Sequence, residues 1–255
     1  MNTSAVVAPS GYERFSAGDT IVVARVAAAP GLRAAMSSAP SLHAWAASVP
    51  GAVPFEGRET AWGVRLPGAA IDVVVRHGRH GGVLASVRGD RFVWPGRAPW
   101  ELETSLRLQD AGVRTPDVVA YALYAAGPGF CRCDVATRRL PEGAVFPAAW
   151  KEATEATRDA LMVAVGVLLR DLRAAGAQHA DLNAKNLYVA HEGSRWDAWV
   201  LDVDRVRFRA PNDAEVGAQN LARLERSLRK LRDRSALALS DAALAQLADV
   251  AESRA

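Results

Sequence analysis

The stretch "QHADLNAKNLYV" at residues 178–189 holds the side chains best suited to chemistry. One acidic residue, Asp181, stands there with two asparagines, just before an apolar run. Phosphoryl transfer needs a carboxylate that orients and deprotonates the attacking hydroxyl, and oxygen ligands that hold Mg²⁺ on the phosphates. Asp181 is therefore a candidate base, and Asn186, five positions later, is a candidate metal ligand.

A second carboxylate, Asp202, follows in the apolar segment "WVLDVD", sixteen residues after Asn186. Protein kinases place the base and one metal ligand in H-R-D-L-x-x-x-N, and a further metal aspartate in D-F-G. The order of Asp181, Asn186 and Asp202 matches that arrangement. Asp204 would share a strand face with Asp202 and is a further metal candidate. The alternative without catalysis is an Asx turn, in which Asp181 and Asn183 bond nearby backbone.

The elements that must position these residues differ between the two parts of the chain. Strand-like runs bounded by Gly and Pro, and two helices, fill the first part; from Pro147 the pattern is helical apart from a hairpin. The sequence thus predicts an α+β fold, with a β-rich lobe at 1–145 and a helical lobe at 146–255. The predicted strands are 20–27, 60–66, 71–77, 117–127 and 129–140; the predicted helices are 31–48, 99–112, 148–176 and the tail; the predicted hairpin is 196–208.

The composition is that of a globular enzyme: 255 residues, 50% hydrophobic and 23% charged, with a net charge of +3. That charge is too small to indicate nucleic-acid binding. The N-terminus lacks the features of a signal peptide, and the apolar run at 160–169 is too short to span a bilayer. We therefore expect a location in the cytosol or on the cytosolic face of a membrane. Cys131 and Cys133 are expected to be reduced strand residues.

The sequence also resembles a known family. "HADLNAKNLYV" and "WVLDVD" look like the 3-deoxy-D-manno-octulosonic acid (Kdo) kinase family, lipopolysaccharide kinases with a two-lobed protein-kinase-like fold. "GRETAWGVRL" and "VVVRHGRHGGVLASVRGDRFVW" resemble its glycine-rich turn and its Arg-His … Gly-Gly … Asp-Arg strand region. "ELETSLRLQDAGVRTP" and "QNLARLERSLRK" resemble two of its helices, so the resemblance runs in order from about residue 55 to 232.

The resemblance implies a role for each candidate residue. Asp181 would be the catalytic base, while Asn186 and Asp202 would hold Mg²⁺. Arg76, at the end of "VVVR", would take the position of the phosphate-gripping lysine of protein kinases. No lysine precedes Lys151, so this cation has to be an arginine, which can bind phosphate bidentately.

The remaining nucleotide-binding residues are implied in the same way. Glu101 and Glu103 compete to pair with Arg76, and the register of the family helix favours Glu101. Gly57 belongs to the glycine-rich turn. The chain departs from the family at Glu59, which replaces the second glycine of Gly-Arg-Gly, and at Lys185, where the family typically has histidine.

The implied cofactors are ATP and Mg²⁺, and the implied acceptor is a Kdo–lipid A type glycolipid, phosphorylated on the 4-hydroxyl of Kdo during inner-core synthesis. The first lobe would be the nucleotide side and the second lobe the acceptor side. A peripheral location on the cytoplasmic side of the inner membrane would follow. Residues 205–234 hold nine Arg or Lys against four Asp or Glu, a net +5. Their leucine stripe could lie on an anionic membrane surface or pack inside the helical lobe.

Two other classes of function use the same residues. A kinase for heptose or an aminoglycoside would share Asp181, Asn186 and Asp202 but need a different acceptor groove. A catalytically degenerate, kinase-like binding module is favoured by Glu59 and by the missing lysine. Retention of the base and both metal residues argues against the binding module.

Overall fold

The computed structural model describes residues 6–57, 59–79, 89–193, 195–234 and 237–253. Two compact units divide the chain: Met1–Glu103 with Asp117–Arg139, and Thr104–Pro116 with Leu140–Ala255. The chain therefore passes from the first unit to the second after Arg139, whereas the sequence places this boundary at 145. Residues 104–116 group with the second unit.

An antiparallel sheet of eight strands forms the centre of the first unit. The strands are β1 (Tyr12–Ala17), β2 (Thr20–Arg25), β3 (Val53–Phe55), β4 (Ala61–Arg65), β5 (Asp72–His77), β6 (Phe92–Val93), β7 (Val118–Ala125) and β8 (Phe130–Arg138). Their order is β1-β2-β7-β8-β5-β4-β3, with β6 paired to β8. β-branched residues dominate β5, and its Val73 and Val75 lie in the buried core against the sheet, as such side chains do on a pleated surface.

Two helices pack on this sheet, where the sequence predicts a single helix over 31–48. They are α1 (Ala29–Ser38) and α2 (Leu42–Ser48), so the single-helix prediction is wrong. The break has a local cause: Pro40 cannot donate a backbone hydrogen bond, and the side chain of Ser41 accepts one from Ala44 N at 3.0 Å, which begins a new helix. A third helix, α3 (Ala98–Asp110), matches the prediction closely.

The second unit is mainly helical. Its helices are α4 (Phe146–Glu152), α5 (Glu155–Ala174), α6 (Ala214–Asp233) and α7 (Asp241–Glu252), and its strands are β9 (Gly143–Val145), β10 (Ala177–His179), β11 (Leu187–Glu192), β12 (Arg195–Val200) and β13 (Val206–Phe208). The helix predicted over 148–176 is thus two helices. Thr154 separates them, because its side chain caps α5 by accepting from Thr157 N at 3.3 Å.

The strands of the second unit pair differently from the prediction. β12 pairs with β11 in a three-stranded sheet that also contains β9, while β13 pairs with β10. The predicted hairpin over 196–208 is therefore wrong, since its two strands belong to separate sheets. The chain between them instead carries Asp202 out of β12 and into a 3₁₀ turn, Val203–Arg205.

Helices α5, α6 and α7 enclose the core of the second unit. Leu168, Leu172, Leu224, Leu228 and Leu247 are among its buried side chains. Of the described helices, none combines the length and the apolar character that crossing a membrane requires.

Candidate active site

The loop after β10 holds Asp181 by its backbone and leaves its side chain exposed. The Asp181 carbonyl oxygen accepts from Asn183 Nδ2 and from Asn186 Nδ2, both at 2.9 Å. Asn183 also caps the 3₁₀ turn Ala184–Asn186, accepting from Lys185 N at 3.0 Å. The asparagines therefore hold the loop through the main chain. Among the described residues, the Asp181 carboxylate receives only a long contact of 3.5 Å from Asn183.

His179, at the end of β10, joins this loop to the segment that follows β12. Its ring is fully buried; Nδ1 accepts from Asp181 N and Nε2 donates to Leu201 O, each at 3.2 Å. Burial lowers the pKa of His179, against the opposing effect of the bond to Leu201 and of the charges on Asp181, Asp202 and Asp204. The neutral His179 ring thus links the Asp181 loop to Leu201, with the carboxylates of Asp181, Asp202 and Asp204 near enough to affect its pKa.

Asp202 lies just beyond β12 in a left-handed backbone conformation, with φ 54° and ψ 47°. Few residues other than glycine adopt this conformation, and aspartate is one that tolerates it. Leu201 N donates to Asn186 O at 2.8 Å, so the segment bearing Asp202 is bonded directly to the loop bearing Asn186. Asp204 lies within the 3₁₀ turn. The expectation that it shares a strand face with Asp202 is therefore wrong, because the strand ends at Val200.

The donor set here suits a magnesium ion carried by phosphate. The Asn186 amide nitrogen is bonded to Asp181 O, which leaves its Oδ1 atom as the candidate metal ligand, and the Asp202 carboxylate is exposed. Within the described ranges, no three His, Cys, Asp or Glu side chains gather as a metal site. Mg²⁺ usually takes one or two protein oxygens and completes its shell with water and phosphate, so these two residues fit it.

In the first unit, Arg76 on β5 forms an ion pair with Glu101 on α3. The Glu101 side chain is only 7% exposed, whereas that of Arg76 is 32% exposed. Glu101, rather than Glu103, is thus the carboxylate that meets Arg76. A charge-assisted bond of this kind orients the guanidinium while part of it stays accessible.

The turn between β3 and β4 contains Gly57, which is exposed, and Glu59. Glu59 forms an ion pair with Arg79, beyond the end of β5. Arg58 and the glycine pair Gly81-Gly82 lie outside the described residues. Where the resembled family has a glycine, this chain therefore has a carboxylate bonded to a neighbouring arginine.

A buried hydrogen-bond network beside Arg76 was not predicted from the sequence. The fully buried carboxylate of Asp134 on β8 receives Tyr124 OH at 2.7 Å, His43 N at 2.8 Å and His77 Nδ1 at 2.6 Å. The hydrogen bond to Asp134 is the main cause of a raised pKa at His77. The available signal was an aspartate between two apolar strand residues, Cys133 and Val135.

Helix α6 supplies two further loop contacts that the sequence analysis missed. Asn220 is fully buried; its Oδ1 accepts from His179 N at 3.0 Å and its Nδ2 donates to Ala177 O at 2.8 Å. Ser227 Oγ accepts from Ala184 N at 3.2 Å. The signal for Asn220 was its place in the buried stripe Val216, Asn220, Leu224, Leu228, where spacing by four predicts apolar residues.

Comparisons with known proteins point to one family. The model of the lipopolysaccharide kinase (Kdo/WaaP) family matches residues 51–250. A protein of Xylella fastidiosa (strain 9a5c) named 3-deoxy-D-manno-octulosonic acid kinase is 30% identical over 193 residues, 74% of this chain and 74% of that protein. A protein of the same name from Stenotrophomonas maltophilia (strain K279a) is 33% identical over 191 residues, 69% and 68% of the two chains.

A solved structure, "WaaP in complex with acyl carrier protein", matches 79% of this chain and 78% of its own, with a TM-score of 0.50 and 19% identity. At that identity the likeness concerns the fold alone. It confirms the predicted α+β, protein-kinase-like class.

Proposed function

The chain belongs to the lipopolysaccharide kinase (Kdo/WaaP) family, and on that premise we propose that it transfers the γ-phosphoryl group of ATP to Kdo. As a member of this family it is a phosphotransferase with an alcohol group as acceptor. The finer assignment is the 4-hydroxyl of Kdo on a lipid A precursor, a step of inner-core synthesis. Support comes from relatives named 3-deoxy-D-manno-octulosonic acid kinase, which are 27–33% identical to this chain.

One observation supports the catalytic assignment above others: Asp181 is held through its main chain while its carboxylate stays exposed. In the proposed reaction Asp181 accepts the proton of the Kdo hydroxyl. The hydroxyl oxygen forms a bond to the γ-phosphorus as the bond to the β-phosphate oxygen breaks, and ADP leaves. Since His179 is buried, neutral and bonded at both nitrogens, Asp181 is the better base.

The family resemblance assigns the nucleotide-binding roles residue by residue. We assign Arg76, oriented by Glu101, to the phosphate oxygens, with Gly57 in the covering turn. Asn186 and Asp202 would hold Mg²⁺, which when bound neutralises charge on the phosphates. Arginine suits the phosphate role because its planar group offers paired donors and keeps its charge.

The acceptor is anionic and lies in a membrane leaflet, so a peripheral location on the cytoplasmic side of the inner membrane belongs to the proposal. The leucines of α6 are not available for a bilayer, since Leu224 and Leu228 are buried and Leu221 and Leu231 pack against the same core. Any attraction of α6 to an anionic surface would therefore come from its arginines and lysines.

The test is transfer of labelled γ-phosphate from ATP–Mg²⁺ to a Kdo–lipid A precursor by the parent protein and by Asp181→Asn. Loss of a positioned base lowers the rate by about 10²–10⁴-fold. Glu192→Gln, which removes an exposed carboxylate elsewhere in the second unit, should leave the rate unchanged. Transfer to heptose or an aminoglycoside instead of Kdo would replace the proposed acceptor. Absence of metal-dependent ATP binding would favour a binding module over a kinase.

A further inference from the structure

Helix α6 contacts the Asp181 loop at two places on one face. Asn220 holds His179 N, at the start of the loop, and Ser227 holds Ala184 N, at its far side. These two residues are seven positions apart, two helical turns, so they project from the same side of α6. That side of the helix therefore faces the loop.

Two cations occupy positions beside these contacts. Arg223 is three residues after Asn220 and four before Ser227, and Lys230 is three residues after Ser227. Residues three or four apart are neighbours on a helix surface, so Arg223 lies between the two loop contacts and Lys230 lies beside the second. The loop adds a third cation, the exposed Lys185, next to Ala184.

The cations of α6 differ in whether an acid neutralises them. Arg232 pairs with Asp241 at 2.6 Å, and Arg229 contacts Glu225 at 3.4 Å; both lie on the opposite side of the helix from Ser227. In the part of the chain that the structure describes, the side chains of Lys185 and Lys230 form no ion pair or hydrogen bond. Arg223 has a single long contact of 3.5 Å to Gln219. Lys185, Arg223 and Lys230 are thus cations beside the loop that no acid neutralises among the described residues; Arg226, about 100° around α6 from Ser227, also has no ion pair there.

We infer that Lys185, Arg223 and Lys230 form an anion subsite for the acceptor, which binds a carboxylate or phosphate of the glycolipid while its hydroxyl meets Asp181. Without such cations the exposed Asp181 carboxylate would repel an anionic acceptor. The subsite would act on acceptor binding rather than on the chemical step, so these residues set specificity. The inference rests on the proposed function for the identity of the acceptor.

The test compares Lys185→Gln, Lys230→Gln and the double variant with the parent. A lost charge-assisted bond should raise the KM for the Kdo–lipid A precursor by about 10-fold or more, with kcat and the KM for ATP unchanged. Arg229→Gln, on the neutralised side of α6, is the matched control and should change neither constant. An unaltered acceptor KM in the double variant overturns the inference.

Two modified acceptors separate the sources of the anion. If the Kdo carboxylate is bound, its methyl ester should show the raised KM with the parent and little further change with the double variant. If a lipid A phosphate is bound, the dephosphorylated acceptor should instead show the raised KM with the parent and little further change with the double variant. Equal KM values for all three acceptors would contradict the subsite.

Direct binding separates failure of the subsite from failure of the proposed reaction. Sedimentation with vesicles containing the Kdo–lipid A precursor should be weaker for the double variant than for the parent, even if no phosphate is transferred. Vesicles of phosphatidylglycerol without glycolipid are the control. An equal loss on those vesicles would mean a general membrane contact and would refute an acceptor subsite.

Discussion

At the scale of single residues, His77 and His179 show how neighbouring groups decide the charge of an imidazole. His77 lies between Asp134, at 2.6 Å, and Asp90, at 3.3 Å, and its pKa is raised. His179 meets one backbone N–H and one backbone carbonyl, and its pKa is lowered by burial. The sequence shows both histidines but not these partners, so their charge states could not be predicted from it.

The two histidines should give opposite pH dependences of stability. The folded-state pKa of His77 is above its unfolded value of about 6.5, so its stabilisation is complete below that pH and is lost as pH rises through the raised pKa. The folded-state pKa of His179 is below that value. Its stabilisation is therefore complete above about pH 6.5 and is lost as pH falls towards the lowered pKa.

Urea unfolding of the parent, His77→Gln and His179→Gln between about pH 5 and pH 9 measures both effects. The free-energy difference between parent and His77→Gln should shrink as pH rises above about 6.5, and the difference for His179→Gln should shrink as pH falls below it. Parallel pH curves for the parent and either variant would contradict the assigned charge state.

At the scale of secondary structure elements, the sequence predicted those strands and helices whose own residues determine them. The β-branched run of β5 and helix α3, which begins near Pro99 and ends before Gly112, were predicted. The structure bonds Asn186 to Asp181 and the segment before Asp202 to the same loop, while the roles of these residues stay a prediction. β12 and β13 were wrongly joined, because strand partners are chosen by contacts distant in sequence. Strand β1 was missed, although the Gly18-Asp19 turn that joins it to β2 is a hairpin signal.

The contact between α6 and the loop gives a prediction at this scale. Asn220→Ala leaves the buried His179 N–H and Ala177 carbonyl without partners and should lower the free energy of unfolding by about 2–4 kcal/mol. It should also reduce phosphate transfer, because His179 would lose its anchor. Urea unfolding measures the first effect, with the exposed Ala222→Ser expected to stay within about 0.5 kcal/mol of the parent. A parent-like Asn220→Ala would mean that the loop does not depend on α6.

At the scale of the whole molecule, charge is distributed unevenly. Residues 205–234 carry +5 while the chain carries +3, so the remainder carries −2. This asymmetry can be counted from the sequence. The structure adds which cations are neutralised, since ion pairs with Glu225 and Asp241 depend on how α6 and α7 pack.

An acceptor attracted by this charge should respond to salt. Raising NaCl from about 0.05 M to 0.5 M shortens the range of the attraction and should raise the acceptor KM several-fold, with little change in kcat. Initial rates at varied glycolipid concentration measure this. The Lys185→Gln, Lys230→Gln double variant should show a weaker salt dependence, and an equal dependence would contradict the role of these cations.

The ion pair between Arg76 and Glu101 also affects covalent chemistry. Lysine can lose its proton and then attack acylating or aldehyde reagents, including ATP analogues that carry a reactive acyl phosphate. A guanidinium keeps its proton at any physiological pH and is a poor nucleophile. The first unit contains no lysine at all, so reagents of this kind that label the phosphate-binding lysine of other kinases have no lysine side chain to modify there. Selective inhibitors would instead need a diketone, or a bidentate anion that matches the planar group.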